Sequence, residues 1–181
     1  MNEKNNPTIQ KLKDGNVRYI CAARNDGDIS PSIRKATTEG GQHPYAVVIT
    51  CADSRVIPED IFMTGIGELF VIRVAGNVVG DLELGSIEYA VEHLHVNTVV
   101  VLGHTHCGAV HAAVCSGAEG YTAVITDKIK QAIGCECDEK QASILNVQNT
   151  VSTIKQSLAK LNADIYGALY DIESGKVEFD I

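Results

Sequence analysis

Short runs of β-branched and apolar residues recur along the chain. Between them lie stretches whose apolar positions fall three and four residues apart. Tyr45-Ala-Val-Val-Ile-Thr-Cys51, Leu69-Phe-Val-Ile-Arg-Val74 and Thr98-Val-Val-Val-Leu102 are continuous runs of the kind found in strands buried on both faces, and Tyr166-Gly-Ala-Leu-Tyr170 is a weaker fourth. Helical spacing shows over 80–95, at Leu84, Ile87, Val91 and Leu94, and over 143–161, at Ile144, Val147, Val151, Ile154, Leu158 and Leu161. The small apolar residues of 108–115 suit a packed helix. Pro7 and Thr8 open a further helix with Ile9, Leu12, Val17 and Ile20 on one stripe, although Gly15 weakens it by about 1 kcal/mol relative to alanine. Residues 25–41 are polar and predict a loop with at most a helical turn. Residues 117–140 predict a polar surface excursion. Glu173-Ser-Gly175 predicts the turn of a terminal hairpin whose edge strand is Lys176-Val-Glu-Phe179.

Strands that alternate with helices predict an α/β fold. Its centre is a mostly parallel sheet of about four strands with an antiparallel edge strand, flanked by helices and preceded by an N-terminal helical arm. No internal repeat, low-complexity tract or linker divides the sequence. One domain over 1–181 is expected, with the arm at 1–40 and the α/β core at 41–181.

Composition narrows the partners. Of 181 residues, 15 are Lys or Arg and 23 are Asp or Glu, a net charge of −8, which argues against a protein that tracks a nucleic-acid backbone. No run approaches the roughly 18 apolar residues of a membrane helix. The opening residues, Met1 to Pro7, lack the apolar centre of a signal peptide, so a cytoplasmic location is expected. Six cysteines in a reducing compartment point to metal binding or catalysis rather than to disulfides.

Which cysteines matter follows from the strands. In an open parallel sheet, functional residues collect at the carboxyl ends. The first strand runs into Cys51-Ala-Asp53-Ser-Arg55 and the third into Gly103-His104-Thr-His-Cys107-Gly108. Alternation aims Cys51, Asp53 and Arg55 to one side, and a turn brings His104 and Cys107 to one centre. Two thiolates, an imidazole and a carboxylate are a donor set for tetrahedral zinc. If Asp53 is the fourth ligand, the site is closed. If Arg55 pairs with Asp53 and holds it away, water takes that position, with a pKa that can fall from about 15.7 to about 7.

Cys51-x-Asp53-x-Arg55 followed by His104-x-x-Cys107 resembles the β-class carbonic anhydrases, strongly from about Gln42 through Cys107 and more loosely to the final hairpin. The resemblance implies a zinc lyase that interconverts carbon dioxide and bicarbonate through zinc-bound hydroxide, with one zinc per chain. By position, Cys51, His104 and Cys107 match the family's zinc ligands, and Asp53 and Arg55 its catalytic dyad. Gln42, Phe70, Ala75, Tyr89 and Gly108 match substrate-contacting positions of plant-type members, and Arg73 and Asn77 fall in a recurrent segment. The resemblance also implies a homodimer or tetramer with sites at the subunit interface, an N-terminal helix reaching across, and Gln42 serving the neighbouring subunit. The tryptophan that builds an inhibitory bicarbonate site in some members is replaced by Val48. Met63-Thr64 stands where many bacterial relatives carry an acidic residue and a glutamine.

Other readings make different demands. A hydrolase of carbonyl sulfide or carbon disulfide on the same scaffold differs only in pocket access and assembly. A non-catalytic zinc- or bicarbonate-binding protein requires Asp53 to close the metal permanently. A redox protein would use Cys135 and Cys137, which otherwise read as exposed loop thiols. Cys21 and Cys115 read as small core residues, and the remaining histidines as surface or capping groups.

Overall fold

The computed structural model describes residues 6–115, 117–179 and 181. Residues 1–5 of the expected arm and Asp180 of the hairpin lie outside them. Five strands form one sheet in the order β2-β1-β3-β4-β5: β1 (Ala46–Thr50), β2 (Leu69–Arg73), β3 (Thr98–His104), β4 (Asp164–Tyr170) and β5 (Val177–Phe179). All neighbours are parallel except β4 and β5, which form the antiparallel edge pair. The strands follow the apolar runs because a sheet covered on both faces buries every position. All five residues of β1 and all seven of β3 are buried. Each large side chain so placed contributes roughly 1.5–3 kcal/mol.

Alternation divides those residues between two layers. Val48, Val100 and Leu102 pack with Ile61 and Phe62 on one face. Val47, Ile49, Val99 and Val101 meet α4 (Asp81–His93) and α7 (Glu139–Ser157) on the other, at Ile87, Val147 and Ile154. A third cluster sits past the carboxyl ends of β1 and β3. It joins Cys51 and Cys107 to Val110 of α5 (Gly108–Cys115) and to Ile129 and Ile133 of α6 (Tyr121–Ile133).

The expected arm divides into two unlike parts. In α1 (Pro7–Cys21), Asn6 caps the Thr8 and Ile9 amides and Pro7 occupies the first turn. Its Ile9 and Leu12 are buried in the same core as β1 and β3, so α1 packs on its own chain. Gly15 is explained by close approach, since a Cβ there would lie 2.1 Å from the Phe62 carbonyl oxygen. The second part, α2 (Pro31–Gly40), is a ten-residue helix where a loop was expected. Ser30 caps it, Pro31 starts it, and it buries no residue. The absence of a buried stripe is why its periodicity is hard to see.

Residues 117–140 are likewise more ordered than their polarity suggests. Left-handed Gly120 and Gly134 bracket α6, which turns Thr126, Ile129 and Ile133 inward. A single turn, α3 (Pro58–Ile61), was also not anticipated. Cys21 and Cys115 are exposed rather than in the core, because each is the last residue of its helix and lies where the chain turns outward.

Candidate metal centre

Register places the centre. Thr50 of β1 lies opposite Leu102 of β3 and Arg73 of β2, and its hydroxyl donates to the Leu102 carbonyl at 2.8 Å. Cys51 therefore leaves β1 beside the end of β3, where His104 is the last residue and Cys107 closes the following turn. The ligand atoms of Cys51, His104 and Cys107 all lie within 4.8 Å of one another, and all three residues are buried. Among the described residues this is the one group of three metal-ligating side chains so placed.

These atoms fit zinc. The two sulfurs are 3.9 Å apart. Tetrahedral zinc with bonds near 2.3 Å has an S–S edge of about 3.8 Å. His104 Nδ1 donates to the Thr105 carbonyl at 2.9 Å, which leaves Nε2 as a bare lone pair. That nitrogen is buried and has no hydrogen-bond partner. An orphaned acceptor beside two thiols is what a cation would satisfy. The Cys107 thiol lowers Cys51 below the ordinary cysteine range against the opposing effect of burial, with smaller help from His104 and the Gly76 and Asp53 amides. The same Cys51 sulfur, together with burial, pushes Cys107 up. A divalent cation between the sulfurs would favour both as thiolates and displace their protons.

Asp53 does not join the group. Arg55 Nε donates to its Oδ1 at 3.0 Å and Nη2 to its Oδ2 at 2.7 Å. The Arg55 amide adds a third bond to Oδ1 at 2.9 Å. The guanidinium holds the Asp53 carboxyl down at about 2, with burial opposing it. Nη2 of Arg55 also donates to the His106 carbonyl at 3.0 Å, tying the two loops together. His106 itself is exposed and left-handed, with φ 55°. Arg73 clamps the backbone of the loop that follows β1. Its Nε donates to the Cys51 carbonyl at 3.3 Å and its Nη2 to the Asp53 carbonyl at 2.7 Å.

The remaining expected site residues fall into two sets. Ala75 opens a 3-10 turn, Ala75–Asn77, whose Gly76 amide donates to Cys51 Sγ at 3.2 Å. Gly108 follows Cys107 and starts α5. Both adjoin the centre. Gln42, Phe70 and Tyr89 do not. Gln42 is exposed and precedes β1 at the end away from Cys51. Phe70 pairs with Val47, four residue steps along the chain from Cys51, about 13 Å. Tyr89 is 47% exposed and packs its ring 6.3 Å from that of Phe70. The groups that sequence reasoning missed are mostly backbone: the Gly76 amide and the Thr105 and His106 carbonyls, which carry no side-chain signature.

Residues 46–177 match the sequence profile of the carbonic anhydrase family. The fold matches that of a β-carbonic anhydrase from Coccomyxa with a TM-score of 0.72 at 28% identity, over 83% of this chain and 78% of that one. The chain belongs to the β-class carbonic anhydrase family. A carbonic anhydrase of Mycolicibacterium smegmatis is 37% identical over 187 aligned residues, covering 92% of this chain and 89% of the relative. A tetrameric β-carbonic anhydrase of Sordaria macrospora superposes with a TM-score of 0.72 at 26% identity, over 83% of this chain and 87% of that one. Like the rest of the β-class carbonic anhydrases, this one is a zinc lyase, and its reaction is the reversible hydration of carbon dioxide to bicarbonate and a proton.

Proposed function

We propose the following division of labour for that reaction. Cys51, His104 and Cys107 hold one zinc per chain, and Asp53 and Arg55 form the catalytic dyad. The observation that carries the assignment is the convergence of two sulfurs and an unpartnered, buried His104 Nε2. Zinc held there supplies a Lewis acid beside which water becomes nucleophilic near neutral pH. Asp53, ionised and fixed by Arg55, accepts a hydrogen bond from the attacking water and turns its lone pair toward carbon dioxide. Arg55 keeps both Asp53 oxygens off the ligand group. The Gly108 amide and the Gln42 side chain donate to the oxygen on which charge develops. Ala75, Phe70 and Tyr89 supply the apolar wall for an uncharged, linear substrate. The released proton passes to buffer through solvent or a histidine.

Gln42, Phe70 and Tyr89 serve the centre of a second copy in a homodimer. Their place at the opposite end of β1 from Cys51 supports this. So does β2, an edge strand with one neighbour, and so does α2, which buries nothing within its own chain. A two-fold axis perpendicular to the strands would set the amino-terminal end of one sheet against the carboxyl end of the other. Dimers of this kind can pair again as tetramers. The chain acts as one domain over 1–181, supported by the core that α1 shares with β1 and β3. No helix among the described residues is long and apolar enough to cross a membrane. With the acidic composition and six free cysteines, this supports a cytoplasmic setting.

Stopped-flow hydration of carbon dioxide at pH 7 and 8.5, on protein of known zinc content, tests the assignment. Fast hydration at one zinc per chain is expected, and Cys107→Ser loses both metal and activity. Wild-type zinc content in that variant would remove Cys107 from the ligand set.

A further inference from the structure

Two buried polar side chains of α7 have no place in the reaction as described. Asn146 and Thr150 are one helical turn apart, on one face, and are 1% and 2% exposed. Asn146 Nδ2 donates to the Gly76 carbonyl at 2.7 Å, and Thr150 Oγ1 donates to the Asn77 carbonyl at 3.3 Å. Their targets are the two consecutive left-handed residues of the 3-10 turn, Gly76 at φ 68° and Asn77 at φ 46°. A left-handed pair gives its carbonyls no regular helix or sheet partner, yet both residues are buried and those carbonyls must be satisfied. Glycine suits the position because its φ of 68° lies where L side chains are strained, and an added Cβ would also push on Ile129 Cδ1, 2.7 Å away. This held turn is what aims the Gly76 amide at Cys51 Sγ, 3.2 Å away.

We propose that Asn146, seconded by Thr150, is a positioning residue for the metal: it latches the Gly76–Asn77 turn so that the Gly76 N–H fixes and partly neutralises the Cys51 sulfur. The proposal rests on Cys51 being a zinc ligand. A hydrogen bond to a ligating sulfur orients it and sets how much charge it gives the metal, and loss of such outer contacts costs roughly 10- to 100-fold in metal affinity. Asn146 reaches neither substrate nor metal. It acts through one peptide unit, from a helix whose buried apolar residues, Ala142, Val147 and Ile154, are core.

The test uses zinc-loaded protein equilibrated against a graded series of chelator, together with the cobalt-substituted enzyme, whose thiolate-to-metal absorption reports on the sulfurs. Asn146→Leu removes the donor, and Thr150→Val removes the second one at nearly constant volume. Ile154→Ala, one turn further along α7 in the sheet-facing core, supplies a loss of stability that leaves the turn alone. We expect N146L to weaken zinc retention about 10- to 100-fold and to move the absorption band, T150V to do the same to a smaller degree, and I154A to keep wild-type affinity and spectrum. Should N146L fail to fold, T150V carries the same expectation. Wild-type affinity and band in the Asn146 and Thr150 variants, or an equal loss in I154A, overturns the proposal. Cys51→Ser separates the two levels. If C51S binds zinc as wild type does, the ligand assignment falls. If C51S loses zinc while N146L and T150V do not, only the latch falls.

Discussion

Arg55 grips both oxygens of Asp53, at 3.0 and 2.7 Å, and with the same Nη2 holds the His106 carbonyl. One guanidinium therefore fixes Asp53 and braces the loop that follows β3. A bidentate fork of this kind cannot be replaced by the point charge of lysine.

Arg55→Ala and Arg55→Lys are accordingly expected to lower kcat roughly 100-fold, the scale of losing a catalytic group's alignment. The three zinc ligands stay in place. Zinc content should remain near one per chain by metal analysis, while stopped-flow rates fall. Wild-type turnover in either variant would remove Arg55 from the mechanism.

Asp53 titrates far below the working range. Its carboxyl is held at about 2 by Arg55, below the ordinary value of about 3.9. A carboxyl with a lowered folded pKa stabilises the fold above its ordinary value, and that contribution is lost as pH falls through the folded one. Urea midpoints of wild type and Asp53→Asn should therefore differ most above pH 5 and converge between about pH 4 and pH 2. A constant gap over that interval would show that Asp53 is not held down. Asp53 is already ionised at neutrality, so a rise in hydration rate from pH 7 to 9 would not come from its titration.

Mixing two defective variants tests whether the site is shared. Cys107→Ser lacks a metal ligand but keeps Gln42. Gln42→Ala keeps the ligands but denies its neighbour the amide. A mixed dimer holds one complete site if Gln42 acts across the interface, so activity should rise after subunit exchange above the average of the two homodimers. No rise after verified exchange would place Gln42 outside the partner's site.

Gly15→Ala inverts the usual rule for helices. Alanine in a helix interior is favoured by about 1 kcal/mol over glycine. Here the added methyl would sit 2.1 Å from the Phe62 carbonyl oxygen. Separating α1 from α3 should cost about 1–3 kcal/mol, the usual range for overpacking. Urea unfolding of metal-loaded protein measures it, with zinc content unchanged.

Gly15 also shows where the sequence was legible and where it was not. The apolar runs of β1 and β3 state their own burial, and Cys51, Asp53, Arg55, His104 and Cys107 sit just past those runs, so the centre could be placed from spacing and strand ends. Gly15 looked like a weak point in α1 because the neighbour it accommodates, Phe62, lies far along the chain. In α6, Ile125, Ile129 and Ile133 do repeat every four residues, but flanking glycines and lysines mask the stripe. Asn146 and Thr150 are harder still. Polar residues inside a helical repeat read as its solvated side until a turn from elsewhere is seen against them. The separation of Phe70 and Tyr89 from Cys51 was equally hidden, since it depends on β1–β2 register and on nothing local.

That separation changes what counts as one enzyme. Phe70 stands level with Val47, and Cys51 lies beyond the far end of the same strand. In the proposed dimer, a solitary copy would carry the floor of one reaction chamber and the wall of another. Its specific activity would depend on protein concentration, fading on dilution while every zinc stayed bound. In that dimer a change at Gln42 would be felt in the neighbouring subunit's turnover.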